Sequence, residues 1–144
     1  MADISFRVKA HSENPTKTVV KSGEFEIIID EPASLGGTNH AASPVEYLLG
    51  AYAGCLNVVG HVVANEMNFK LKGISIEVAG RLNPARLMGQ SNEERAGFKE
   101  IKVKIIPDTD ASPEILTKWL EQMKSRCPIG DNLANTTPVK IELK

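Results

Sequence analysis

Apolar and polar residues alternate from Ile4 to Val8, and the pattern returns at Phe25, Ile27 and Ile29 after the turn signal Lys21-Ser22-Gly23. Val19 and Val20 are placed to supply a strand between these two. The three segments predict a small antiparallel sheet with one buried face and with Arg7, Glu24 and Glu26 turned to water. A loop rich in helix and strand breakers follows, from Glu31-Pro32 through Gly36-Gly37-Thr38-Asn39.

The period then changes. Val45, Leu48, Leu49, Tyr52, Leu56, Val59 and Val63 fall on helical spacing, and Ala51, Ala53 and Gly54 thin the adjacent surface for close packing. Ser43 stands before Pro44, and Glu46 follows the serine by three residues in a capping-box arrangement, so the helix should start there and run to about Met67 or Asn68. Alternation resumes at Ile74, Ile76 and Val78 and again at Ile101, Val103 and Ile105, two half-buried strands expected to pair as neighbours. The polar stretch Asn83 to Phe98 between them reads as an exposed loop. Ser112-Pro113-Glu114 announces a second helix with Leu116, Trp119, Leu120, Met123 and Cys127 as its apolar stripe, and Pro128 and Gly130 are read as its stop. Val139, Ile141 and Leu143 predict a last strand. The order β-β-β-α-β-β-α-β describes a single α+β domain over 1–144 with antiparallel sheets and two core helices.

Charge narrows the function classes. Lys and Arg total 17 against 18 Asp and Glu, a net charge of -1, with the positives scattered, which disfavours nucleic acid and anionic membranes as partners. The amino terminus lacks a basic segment followed by an apolar run, and no stretch is read as reaching the roughly 20 apolar residues of a membrane span. The expectation is a cytoplasmic protein with no membrane partner.

Two cysteines are too few for a secreted disulfide scaffold, so each is either a buried small apolar group or a working thiol. Cys55 lies on the stripe of the first helix and Cys127 on that of the second, so a shared core could bring the sulfurs together without compelling contact. Spacing alone favours two filler thiols. No C-x-x-C, H-x-x-x-H or H-E-x-x-H is present to suggest zinc, and no Gly-rich phosphate loop or G-x-S-x-G occurs. His11, His40 and His61 read as surface or loop residues. His61 lies about 120° around the helix from Cys55 and cannot serve that thiol.

The run Ser43-Pro44-Val45-Glu46-Tyr47-Leu48-Leu49-Gly50-Ala51-Tyr52-Ala53-Gly54-Cys55, with Cys127-Pro128-Ile129-Gly130 before a final alternating segment, resembles the OsmC/Ohr family of osmotically inducible and organic-hydroperoxide-resistance proteins. The resemblance covers nearly the whole chain. It implies an intertwined homodimer in which Cys55 attacks a hydroperoxide and becomes a sulfenic acid, Cys127 resolves it as a disulfide, and a dithiol reductant returns both thiols. No metal or organic cofactor is implied.

Peroxidase members of that family carry a glutamate ten residues before the first cysteine. Here Val45 holds that position and the carboxylate is Glu46, similar to the less characterised OsmC-like branch. In place of the family's arginine near the amino terminus, this chain offers Lys17, Lys21 and, farther back, Arg7. Within one continuous helix, Glu46 would lie on the side opposite Cys55 and about 13 Å along the axis, so any catalytic role for it requires a second subunit. Two functions follow as expectations: a thiol-dependent reductase of organic hydroperoxides using Cys55, Cys127 and Glu46, and a non-enzymatic dimer that binds a small apolar or thiol-reactive ligand.

Overall fold

A two-residue connection at Gly23 and Glu24 joins β2 (Thr18–Ser22) to β3 (Phe25–Ile29), and Gly23 takes a φ of 59°, the left-handed region such a tight hairpin demands of its first position. The computed structural model describes residues 1–144 in two units, Met1–Leu48 and Leu49–Lys144. In the first unit β1 (Lys9–Ser12), β2 and β3 form an antiparallel sheet in that order, with Val19 and Val20 of β2 buried.

The first strand is displaced from its expected place. Ile4, Phe6 and Val8 carry the alternation yet stand exposed outside any strand, and pairing starts at Lys9 opposite Lys21. The reason is the length of β2: Lys9–Ser12 pair with Thr18–Lys21 and β2 ends one residue later at Ser22, where the chain turns into β3, so β2 offers no ladder to residues 4–8.

Below the sheet the breaker-rich loop is ordered around one carboxylate. Asp30 is fully buried and accepts five hydrogen bonds, from the hydroxyls of Thr16 (2.8 Å) and Thr38 and from the backbone N–H groups of Glu31 (2.8 Å), Thr38 (3.3 Å) and His40 (3.1 Å). Burial alone would push its pKa up. The hydrogen bonds from Thr38, His40, Glu31 and Thr16 outweigh that and hold the carboxyl well below its ordinary 3.8. The carboxylate therefore stabilises this unit fully above the ordinary range, and its contribution is lost as the pH falls through the depressed folded-state value. Gly37 fits the same loop for a steric reason, since a Cβ there would come within 1.8 Å of the Glu31 carbonyl oxygen.

The helix α1 (Pro44–Glu66) begins where its cap predicts. The Glu46 carboxylate accepts from the Ser43 backbone N–H at 2.8 Å and from its hydroxyl at 2.7 Å, while Ser43 Oγ accepts from the Glu46 N–H at 3.4 Å. Tyr47 extends this start by donating its hydroxyl to the Ile28 carbonyl at 2.6 Å. With its 23 residues, α1 corrects the expectation that no stretch is long and apolar enough to cross a membrane. The apolar positions stay within that length because Gly and Ala fill the gaps between Val and Leu, and the core helix of a water-soluble fold meets the same criterion.

In the second unit β4 (Gly73–Arg81) and β5 (Glu100–Asp108) pair antiparallel in full register, with Ile76 opposite Ile105 and Val78 opposite Val103. Ile74, Ile76, Val103 and Ile105 pack on a core formed by Leu56, Val63 and Ala64 of α1 and by Trp119 and Met123 of α2 (Pro113–Arg126). Ser112 caps α2 through its hydroxyl, which accepts from the Ile115 N–H at 3.3 Å, and Pro113 takes the first helical position. Trp119 donates its indole N–H to the Gly60 carbonyl at 2.8 Å and meets Phe69 edge to face at 6.1 Å. A Cβ at position 60 would lie 2.6 Å from Ile74 Cδ1 of β4 and 3.1 Å from Met123 Cε of α2, so glycine there leaves room for both side chains to pack on α1 without shifting.

Two expectations fail near the carboxyl end. Pro128 does not simply stop a helix: it occupies the first position of α3 (Pro128–Ala134). The alternating segment Val139, Ile141 and Leu143 forms no strand and is exposed: β4 and β5 pair with each other, and neither pairs with this segment along its remaining edge.

Candidate redox site

Cys55 sits mid-helix on α1, half-buried against the core, and Cys127 is buried at the junction of two helices. At that junction Cys127 closes α2, its N–H bonded to the Met123 carbonyl at 3.2 Å, and opens α3, its carbonyl accepting from Asp131 N–H at 2.9 Å. Its extended backbone (φ -79°, ψ 111°) lets one residue do both. The two free sulfurs stand 2.7 Å apart. A disulfide requires about 2.05 Å, so bridging asks for very little movement. The packing of α1 against α2 thus brings together the two cysteines that spacing left free to meet or not.

Backbone donors from the Pro128-Ile129-Gly130 turn serve both sulfurs. The Gly130 N–H donates to Cys127 Sγ at 3.3 Å, and the Ile129 N–H acts on Cys55. Cys127 thus stands at the carboxyl end of α2 and also caps the start of α3. Burial pushes the Cys55 thiol up, the hydrogen bond with Cys127 adds to that, and the Ile129 N–H opposes both.

The other residues singled out from the sequence have local partners. Lys17 pairs with Glu13 at 2.6 Å, Lys21 pairs with Glu26, and Arg7 lies in the exposed segment before β1. Glu46 is held by Ser43, whose hydroxyl and backbone hydrogen bonds lower its pKa. No group of three or more His, Cys, Asp or Glu side chains converges as a metal site.

A cavity of about 390 Å³ is lined by Tyr52 and Leu56 of α1, Val103 and Ile105 of β5, and Leu120 and Lys124 of α2, and neither cysteine is part of its wall. Its volume is within the range of small-molecule sites. Tyr52 and Lys124 each precede a cysteine by three residues, which places them on the same helix faces as the sulfurs. Sequence reading assigned neither residue to the site. The only available signal was that i to i+3 spacing, and it is equally the spacing of a core stripe.

The profile of the OsmC-like protein family matches residues 37–142. No curated protein matches the chain. Among solved structures, an OsmC-like protein from Mycoplasma pneumoniae superposes with a TM-score of 0.80 at 18% identity, over 92% of this chain and 89% of that one. A Legionella pneumophila organic hydroperoxide resistance protein OsmC gives 0.66 at 20% identity, with 92% and 91% covered. An organic hydroperoxide resistance protein from Elizabethkingia anophelis gives 0.64 at 19% identity, with 91% and 89% covered. At these identities the likeness establishes the fold.

Proposed function

Since the chain belongs to the OsmC-like family, we propose that it is a thiol-dependent reductase of organic hydroperoxides in which Cys55 is oxidised first and Cys127 resolves it. The observation that carries this reading is the 2.7 Å approach of the two sulfurs. In the first step the Cys55 thiolate takes the terminal oxygen of R–O–OH. The S–O bond forms, the O–O bond breaks, and the alkoxide leaves as an alcohol once protonated. Cys127 sulfur then attacks Cys55 sulfur, forming the disulfide and releasing water, and a dithiol reductant restores both thiols by two exchanges. The Legionella and Elizabethkingia proteins bear organic hydroperoxide resistance in their names, and the mainly apolar wall of the cavity suits an organic group better than hydrogen peroxide.

A homodimer in the cytoplasm accompanies this reading. Ile4, Phe6 and Val8, and likewise Val139, Ile141 and Leu143, are exposed with strand alternation and without a ladder. A second copy is the partner that would supply one. Sedimentation at low concentration tests this, and a stable monomer would remove both the dimer and any site shared across it.

In such a dimer Glu46 has one carboxylate oxygen outside the capping box, Oε1, with which to hold a cation toward the partner copy's thiol. Glu46→Gln is therefore expected to slow Cys55 oxidation and raise its apparent pKa while leaving the melting temperature close to wild type, because Gln still accepts from Ser43. Unchanged turnover and thiol pKa would leave Glu46 as a helix cap only.

A second reading, a non-enzymatic dimer that binds a small apolar or thiol-reactive ligand, draws on the same cavity and on the raised Cys55 pKa. Consumption of an organic hydroperoxide with a dithiol reductant separates the two. Catalytic turnover supports the reductase, and binding without consumption supports the second reading.

A further inference from the structure

We propose that the Tyr52 hydroxyl is the acid that protonates the leaving oxygen when Cys55 is oxidised, with the organic group of the hydroperoxide held in the cavity that Tyr52 lines. The inference rests on the peroxidase reading and adds a third residue to its chemistry.

The two tyrosines of the chain are used differently. Tyr47 spends its hydroxyl on the Ile28 carbonyl, whereas the Tyr52 hydroxyl makes no hydrogen bond within the chain, although its ring is half-buried. Three residues ahead of Cys55, Tyr52 stands on the same face of α1 as the thiol. Its ring lies against Gly130: a Cβ at 130 would meet Tyr52 Cε2 at 3.1 Å and Oη at 3.3 Å. Gly130 is the residue whose N–H donates to Cys127 Sγ, so the phenol reaches the turn that holds the sulfur pair. Tyr52 also forms part of the cavity wall, with Leu56, Val103, Ile105 and Leu120. One side chain therefore touches both the turn that holds the sulfur pair and the space for the substrate.

The ionisation of the phenol suits the role. Burial, then the neighbouring charges of Cys127 and Cys55, push its pKa above the ordinary 10, so it stays a proton donor through the neutral range. An alkoxide is a far stronger base than a phenolate, and transfer from Tyr52 to the leaving oxygen is downhill even with a raised phenol pKa. As Cys55 sulfur bonds the terminal oxygen and the O–O bond breaks, the proton passes from Tyr52 Oη to the alkoxide and gives the alcohol. The phenolate then regains a proton from solvent, replacing the one the Cys55 thiol released on ionising. The sum is thiol plus hydroperoxide to sulfenic acid plus alcohol.

Tyr52→Phe keeps the ring and removes the acid. The reduced, full-length protein would be oxidised in rapid-mixing experiments by tert-butyl hydroperoxide and, separately, by peroxyacetic acid, whose leaving acetate needs no proton. Alkylation by iodoacetamide would be followed alongside. The expected result is a fall of roughly 100-fold in the rate with tert-butyl hydroperoxide, with peroxyacetic acid and iodoacetamide little changed. The ratio of the two oxidation rates is read in the same preparation, so partial unfolding does not alter it. An unchanged ratio in a wild-type-active background overturns the role of Tyr52 alone. Wild-type Cys55 that neither oxidant attacks overturns the peroxidase reading, and this inference with it.

Discussion

Replacing Cys55 with serine is expected to reduce hydroperoxide turnover to background, whereas replacing Cys127 should leave the first oxidation intact and abolish the cycle. A serine hydroxyl in the half-buried setting of Cys55 neither ionises near neutral pH nor has the nucleophilicity of sulfur, so the O–O bond is not attacked. The loss should exceed about 1000-fold, as for removal of other enzymic nucleophiles.

Cys127→Ser retains the attacking sulfur but not the one 2.7 Å from it. One equivalent of organic hydroperoxide should give a sulfenic acid at Cys55, and excess should carry it to the sulfinic state because no bridge intercepts it. In the wild type the same dose should give an intramolecular Cys55–Cys127 disulfide, identified by peptide mapping. A sulfenic acid found on Cys127 in the Cys55→Ser protein, with no bridge in the wild type, would reverse the assignment.

Trp119→Ala is expected to have the largest effect on stability. The side chain is 2% exposed, meets Phe69 edge to face, and is the donor for the Gly60 carbonyl. Truncation removes the ring from the centre of the core and takes a second donor from a carbonyl that also serves the ladder of α1, a cost of about 3–5 kcal/mol. Against a typical total of 5–15 kcal/mol, this is a large share. Trp119→Phe should cost less, since most of the ring volume returns and only the N–H is lost. Because Trp119 is the only tryptophan, denaturant unfolding should be followed by circular dichroism rather than fluorescence. Equal midpoints for wild type and Trp119→Ala would mean that the α1–α2 contact is not what holds the unit together.

The elements that the sequence reading placed well are those whose signals are local. Ser43-Pro44 with Glu46, and Ser112-Pro113 with Glu114, mark helix starts because capping depends on neighbours within one turn. Ile74 to Val78 and Ile101 to Ile105 alternate because both strands bury one face against the same helices. Reading failed where a local signal has two outcomes. Pro128 can end a helix or begin one, and the extended backbone of Cys127 decides for a beginning. Ile4 to Val8 and Val139 to Leu143 have strand alternation, but a strand needs a ladder, and its presence is not written in the segment itself.

For the site, the cysteines were legible as candidates, while their contact depended on how α1 crosses α2. Tyr52 and Asp30 went unread for a related reason. An aromatic on a helical stripe looks like core, and an acid before a proline-bearing loop looks like surface, until the tertiary structure supplies their neighbours.

The residues that follow Asp30, from Glu31 to Ala42, include only a single 3-10 turn at Ala33–Leu35, and a far-ultraviolet spectrum would count most of them as coil. Yet the N–H groups of Glu31, Thr38 and His40 all end on one buried carboxylate, and none can be freed without moving it. Their exchange with deuterium should therefore be slow and should rise together, at the rate of one shared opening, as if this loop were a strand whose ladder partner is a single side chain.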